Sequence, residues 1–356
     1  MRTAFERDWT AASAQPGDLT LQARLVYALL AGWETTQDRR FLAAASRGAD
    51  FLLTRFYDPA HGGFFARVSA DGKIVSEAKT LYGNAFALFA LSHMFRVTQD
   101  ARYRDAALRT WTEIDAWWRN PLGGFRSDLP RDFSQAGFRP DAAQSQNPIM
   151  HLFEALLALH DATQDPVALE GAKGIADFVV YRLVTGLPDG SAHIPEWYDA
   201  GWKALPTREQ GGFTDIGHQF EWIHMLLAAE RRGLIGVYAQ TSERLLKYAV
   251  AKGVDDVEGG AFSRVYPDGS VDRDKTWWQQ CEAMRAFLAV HANGGQPDMW
   301  RRYEQTATLV REQFIDARNG GWHLKACKQG GCQGAQVDPY HMTAMHRAAL
   351  VMAATR

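Results

Sequence analysis

The sequence predicts an all-α protein, an (α/α)6 barrel with short β-hairpins in its loops. Three observations point there. Glycine pairs followed by an aromatic recur along the chain, so that it turns about every 60–70 residues, room for two helices and their loops. Between these marks lie helical stretches that alternate between apolar on most faces and amphipathic. No run alternates polar and apolar residues for long enough to build an extended sheet.

The glycine marks are Gly62-Gly63-Phe64, Gly123-Gly124-Phe125, Gly211-Gly212-Phe213, Gly259-Gly260-Ala261-Phe262 and Gly320-Gly321-Trp322, with the turn Pro188-Asp189-Gly190 in the middle. One set of helices begins near Asp18, Ser76, Ser145, Thr214, Arg273 and Val337. Its members, such as Tyr82–Leu91 and Leu152–Leu159, are rich in Ala, Leu, Phe and Met all round, as buried helices are. The other set covers Arg39–Arg55, Ala101–Trp118, Val167–Arg182, Val237–Lys252 and Met299–Phe314; each has one dry face and one charged face. Short pieces such as Gly63–Val68, followed by Asp71-Gly72, read as hairpins joining an outer helix to the next inner one. Six inner helices with outer partners suggest one closed toroidal domain over residues 1–356, rather than an open solenoid. Only five outer helices are legible, because Met1–Pro16 is too short for a sixth. A vestigial partner or a second subunit would cover the gap.

Bulk composition excludes several classes. The chain has 356 residues, 46% of them hydrophobic, enough for a large core. A net charge of −2 supplies no basic field for nucleic acid or an anionic membrane. No apolar run is long enough to span a bilayer, and no signal-peptide pattern opens the chain, so a cytoplasmic protein is expected. Three cysteines make no disulfide framework. Cys327 and Cys332, with His323, admit a zinc site or a disulfide, but a lid over the rim is favoured for their Gly-rich loop; Cys281 reads as helix filling.

Three histidines lie near the starts of inner helices: His151 after Ser145–Met150, His218 after Thr214–Gly217, and His341 after Asp338-Pro339-Tyr340. The positive end of a helix dipole disfavours an imidazolium, so each is expected to be a neutral base near pH 7. In a barrel the inner helices run the same way, and their first turns share one rim. That rim would also receive Gln22 and Arg24, Lys79, Tyr82 and Asn84, Glu221 and Trp222, and Lys275, Trp277, Trp278, Gln280 and Glu282. Imidazoles, an arginine, carboxylates, amides and aromatic plates suit a polyhydroxylated ligand undergoing proton transfer.

At these residues the sequence resembles the N-acylglucosamine 2-epimerase superfamily, which includes cellobiose 2-epimerases, mannose isomerases and related aldose–ketose isomerases. The resemblance runs from about Leu21 to Ala349. It rests on Gln-Ala-Arg at 22–24, Lys79 with Tyr82 and Asn84-Ala85-Phe86, Met150-His151 with Glu154-Ala155, Gly217-His218 with Glu221-Trp222, Lys275 with Trp277-Trp278 and Gln280, and Pro339-Tyr340-His341. It implies the same (α/α)6 barrel. It implies His218 and His341 as the acid/base pair at C1 and C2 of a sugar, His151 as the group assisting ring opening, and Arg24 as the cation on the enediolate. Tyr82, Asn84, Glu221, Trp277, Trp278 and Gln280 would bind or orient the substrate. No metal or redox cofactor is implied. The residue before Pro339-Tyr340-His341 is Asp338, where cellobiose epimerases carry a cysteine, which disfavours a disaccharide.

The expected reaction is therefore proton transfer at C2 of a free aldose through an enediolate, in a monomer or homodimer. Isomerisation of the mannose–fructose type is favoured over 2-epimerisation of a monosaccharide, disaccharide or N-acylhexosamine. The rival enzyme class is an (α/α)6 glycoside hydrolase using Glu221 and Glu282 across a cleft of roughly 5–9.5 Å. A toroid that only binds proteins would not need this polar rim.

Overall fold

The computed structural model describes residues 5–10, 17–134, 143–294, 296–327 and 336–354. Among them are eleven α-helices linked by strands of two or three residues. They are α1 (Leu19–Thr36), α2 (Arg39–Phe51), α3 (Leu81–Thr98), α4 (Ala101–Trp117), α5 (Asn147–Thr163), α6 (Pro166–Phe178), α7 (Ile216–Arg231), α8 (Tyr238–Gly253), α9 (Trp277–Gly294), α10 (Pro297–Gln313) and α11 (Tyr340–Ala354). The odd-numbered helices are the apolar set and the even-numbered ones the amphipathic set. Three inner helices begin a few residues later than the sequence suggests. Lys79–Thr80 first pairs as a strand with Asp128–Leu129, and Thr276 bridges Lys325. Asp338 accepts from the Tyr340 amide at the start of α11.

The chain divides into two compact units. The first contains Ala11–Phe178 and Asp338–Tyr340; in it α3 packs between α1 and α5, while α2, α4 and α6 back onto α1, α3 and α5. The second contains Phe5–Thr10, Val179–Val337 and His341–Arg356; in it α7 packs on α8 and α9, and α9 on α10. Met345 of α11 joins Cys281, Met284, Leu309 and Phe314 in one apolar cluster of this unit.

A second repeat, missed in the sequence, sets the turns of the first unit. Helices α1, α3 and α5 all end in Thr-Gln-Asp, at residues 36–38, 98–100 and 163–165. Each glutamine sits in the left-handed region, with φ of 59°, 56° and 57°. Such a backbone is costly for a residue with a side chain. Here the amide offsets it by donating to the last-turn carbonyls, as Gln37 does to Trp33 and Glu34. The threonine hydroxyl donates back to the carbonyl four residues earlier and accepts from the aspartate amide, and the aspartate caps the next helix.

The glycine pairs are turns with a required backbone. Both glycines have positive φ at 62–63, 123–124, 259–260 and 320–321. An inner helix then locks the turn that precedes it. Asn84, Gln219 and Gln280 are each the fourth residue of their helix and fully buried. Asn84 accepts from Phe64 N at 2.8 Å and donates to Phe64 O; Gln280 does the same with Ala261 at 2.7 and 2.9 Å, and Gln219 with Ile194 at 2.9 and 2.9 Å. Lysines form the second lock. Lys79 donates to Asp58 at 3.0 Å and to the Gly62 carbonyl; Lys275 donates to Asp255 and to the Gly259 carbonyl, each at 2.8 Å. Asn84, Gln280, Lys79 and Lys275 therefore differ from the substrate-rim expectation: their polar atoms bind buried backbone and carboxylates, which must be satisfied first.

The five outer helices legible in the sequence are those seen among the described residues. Residues 5–10 form an irregular strap instead. Arg7 bonds Asp316 at 2.9 Å, Trp9 donates to the Asn319 carbonyl at 2.8 Å, and the Phe5 carbonyl accepts from Gln336 at 3.0 Å. Arg7 also bonds His323, so this histidine is engaged in the strap rather than in the zinc site considered above. Cys327 is disulfide-bonded. Cys332 and the lid considered for its loop lie outside the described residues.

Lys79 and Asp58 are both fully buried; Asp58 also accepts from Arg131 at 3.0 Å, so removing Lys79 takes away one of its charged partners. Lys79→Met is expected to lower the unfolding free energy by about 1–3 kcal/mol, measured by urea denaturation. The double variant Lys79→Met/Asp58→Leu is expected to recover part of that loss.

Candidate active site

The first unit gathers Arg24, Tyr82 and His151. Arg24 lies on the second turn of α1 and is 8% exposed. Its guanidinium donates to Asp338 at 3.2 Å and to the Tyr82 hydroxyl at 2.8 Å. The rings of Phe86 and Tyr340 lie 4.4 and 4.9 Å from its central carbon. A desolvated cation held by one carboxylate and aromatic faces is tightly oriented. His151, in the second turn of α5, is buried. Its Nδ1 lies 3.3 Å from Glu154, whose carboxylate also accepts from the Tyr340 hydroxyl. Tyr82 and Phe86 pack on the imidazole at centroid distances of 5.0 and 4.6 Å.

The second unit gathers His218, Glu221, Trp277, Trp278, Glu282 and His341. His218 is the third residue of α7, whose N-terminus is capped by Asp215. Its Nδ1 is 2.6 Å from Glu196, and its Nε2 is 3.9 Å from Glu221. Burial pushes the imidazole pKa down, but Glu196, Asp215 and Glu221 together outweigh burial and raise it to about 10. The sequence expectation of a neutral His218 is thus corrected: its ground state at neutral pH is the imidazolium, because three nearby carboxylates exceed the effect of a helix dipole.

His341 has a different partner. Its Nδ1 is 2.7 Å from Oε1 of Glu282, a fully buried carboxylate on α9. Glu282 also accepts from His224 Nε2 at 2.9 Å and from Arg285 at 2.8 and 3.1 Å. Burial alone would push the carboxyl pKa up; Arg285, His224 and His341 hold it well below the usual carboxylate range. As a carboxylate it can only accept, so His341 Nδ1 donates, and a neutral His341 keeps its lone pair on Nε2.

Trp278 stands beside both histidines, its ring 5.1 Å from His218 and 5.4 Å from His341; Trp277 is 5.4 Å from His341. Gly217 makes room for it: a β-carbon there would lie 2.4 Å from the Trp278 ring. This explains the Gly217-His218 pair by close packing.

Donor atoms of Glu221, Glu282 and His341 lie within 4.8 Å of one another. That spacing alone would admit a cation, but the Arg285 guanidinium already sits on Glu282 and supplies positive charge there. The same spacing is shorter than the roughly 5–9.5 Å of a glycosidase pair, and both carboxylates are fully buried, which disfavours that pairing. Sequence reading missed Glu196, His224 and Arg285. Glu196 lies in a loop 22 residues before His218 without periodicity to mark it, whereas His224 and Arg285 recur at helical spacing on the faces of Glu221 and Glu282 and were legible in principle.

Comparison with known proteins agrees with this chemistry. The family model described as N-acylglucosamine 2-epimerase (GlcNAc 2-epimerase) matches residues 2–344. The chain belongs to this family. It is 28% identical over 319 residues to the mannose-6-phosphate isomerase of Rhizobium meliloti (strain 1021), covering 87% of this chain and 79% of that protein. It is also 28% identical over 319 residues to the D-mannose isomerase of Thermobifida fusca, covering 84% and 76%. A crystal structure of D-mannose isomerase superposes with a TM-score of 0.89 at 22% identity, covering 99% of this chain and 91% of that one, which shows a shared fold. The protein is thus a sugar isomerase or epimerase. Among the described residues no helix is long and apolar enough to cross a membrane.

Gly217→Ala is expected to displace Trp278, seen as a red-shifted tryptophan emission, and to reduce turnover more than stability. The stability contributed by pairing His218 is complete below the unfolded histidine value of 6.5 and is lost as pH rises through about 10. The stability gap between the wild type and His218→Gln, read from urea unfolding, is expected to narrow from pH 6 to pH 10.

Proposed function

We propose that the protein interconverts a free aldose and its ketose by proton transfer at C1 and C2, most simply mannose and fructose. The observation that carries this reading is the pair of histidines on separate carboxylates beside one indole. Environments that differ this much sort an acid from a base. His341, whose Nε2 carries the lone pair, removes the C2 proton. The C2–H electron pair forms the C1–C2 double bond, and the carbonyl pair moves to O1. His218 donates its proton to O1 and takes back the proton leaving O2. His341 then protonates C1, giving the ketose and restoring both histidines. Preorganised stabilisation of the enediolate is typically worth about 3–4 kcal/mol. On the family resemblance, Arg24 is the cation at the carbonyl and His151 assists ring opening; Tyr82, Glu221, Trp277 and Trp278 bind or orient the sugar.

A neutral monosaccharide fits better than a phosphorylated one. Arg24 and Arg285 already bond Asp338 and Glu282, so their charge is balanced before a ligand arrives. Two histidines on independent carboxylates would also serve 2-epimerisation, where one takes the C2 proton and the other returns it to the opposite face. The likeness to D-mannose isomerase over nearly the whole chain supports a single closed (α/α)6 barrel over residues 1–356. The reading is of a metal-independent cytoplasmic enzyme, a monomer or homodimer, needing no cofactor.

Proton NMR of mannose in D2O with the purified protein tests the reaction, with and without EDTA. Deuterated fructose forming at equal rates in both is the expected result. Glucose in its place would establish the 2-epimerase, turnover confined to mannose 6-phosphate would overturn the neutral substrate, and loss of activity in EDTA would overturn metal independence. His218→Ala and His341→Ala are each expected to cost at least about 10²-fold in kcat with the fold retained.

A further inference from the structure

Glu282 has more partners than orienting one histidine requires. Among the described residues, four charged or titratable side chains face it: His341 of α11, His224 and Glu221 of α7, and Arg285 of its own helix. One carboxylate oxygen, Oε1, takes His341 at 2.7 Å and Arg285 at 3.1 Å; the other, Oε2, takes His224 and Arg285 at 2.9 and 2.8 Å. Arg285 lies one turn after Glu282, so the helix itself delivers the guanidinium to both oxygens. His224 lies one turn after Glu221 and anchors Oε2.

We infer that Arg285 and His224 are positioning residues that clamp Glu282 as an acceptor-only carboxylate, and thereby fix His341 as the Nδ1–H tautomer with its basic Nε2 toward the substrate. The inference rests on the proposed role of His341. Its physical core is a choice between two states. With Arg285 present, Glu282 has no proton to give, and His341 must donate. Without Arg285, the carboxylate is buried beside Glu221 with no guanidinium. It then gains a proton, a neutral carboxyl can donate to His341 Nδ1, and the imidazole proton moves to Nε2. That tautomer cannot abstract a proton from carbon. His224 contributes by holding Oε2, so that Oε1 stays directed at His341.

The clamp is tested by 15N-edited imidazole NMR together with steady-state kinetics on the whole protein. His341→Gln assigns the His341 resonances. The wild type is expected to show the Nδ1–H form. Arg285→Met is expected to shift His341 toward the Nε2–H form and to lower kcat by about 10²-fold, with KM changed less than about threefold. Arg285→Lys, which restores a cation, is expected to recover the wild-type tautomer and most of kcat. His224→Gln, which keeps a donor, is expected to stay near wild type, and His224→Phe to behave as a milder Arg285→Met. Should Arg285→Met fail to fold, Arg285→Lys and the His224 pair still give the comparison. A His341 tautomer unchanged in Arg285→Met or His224→Phe would overturn the clamp, even if activity fell. A tautomer that moves as expected in a protein with no sugar turnover would uphold the clamp while overturning the proposed function.

Discussion

Desolvated charge is the constraint around which this protein is arranged. Glu282, Asp58 and Glu221 are carboxylates with no exposed surface, and Lys79 is an equally buried ammonium. A buried charge is tolerated only where donors or opposite charges meet it. The structure meets that demand with lysines at helix entrances, an arginine one turn away on the same helix, and histidines from neighbouring helices. The candidate acid and base histidines are held by the same buried charges. His218 exists as a cation because of what surrounds it, and His341 is oriented because Glu282 can only accept.

The same logic operates on neutral groups in the loops. Short strands and glycine turns leave backbone donors and acceptors that the small sheets do not pair. Asn84, Gln219 and Gln280 supply an amide that mimics a peptide edge, donating and accepting at once. Because each sits at the fourth position of its helix, locking the turn also fixes the height at which that helix starts. His218 lies one residue before Gln219, so the lock that satisfies Ile194 also sets the position of the His218 imidazole. Residues that lock backbone therefore alternate with candidate site residues along the first turns of α3, α7 and α9, and substituting the former would disturb the latter.

Substrate chemistry is constrained in turn. A site whose cations are already matched by carboxylates holds its net charge fixed before a sugar binds. What it offers is directed proton donors and acceptors against an indole wall, the equipment for moving protons on a sugar. Trp278 reaches both histidines only because Gly217 carries no side chain. Close packing, rather than backbone freedom, explains that glycine.

Much of this was legible in the sequence. Helix periodicity and the glycine pairs located the inner and outer helices to within a few residues, since amphipathic patterning is a local property. The three histidines and Arg24 stood out because polar residues are conspicuous in helices otherwise apolar all round. The Thr-Gln-Asp repeat was equally legible and was overlooked. Partners could not be read. Nothing local says that Glu196 meets His218 across 22 residues, or that Glu282 serves His341 across 59. For the same reason the helix dipole suggested a neutral His218 where three carboxylates decide otherwise. Likewise Asn84 and Gln280 looked like ligand-binding amides until their backbone partners were in view. Sequence determined which residues lie on which helix; only tertiary structure decided what each one faces, because electrostatics and hydrogen bonding act through space and not along the chain.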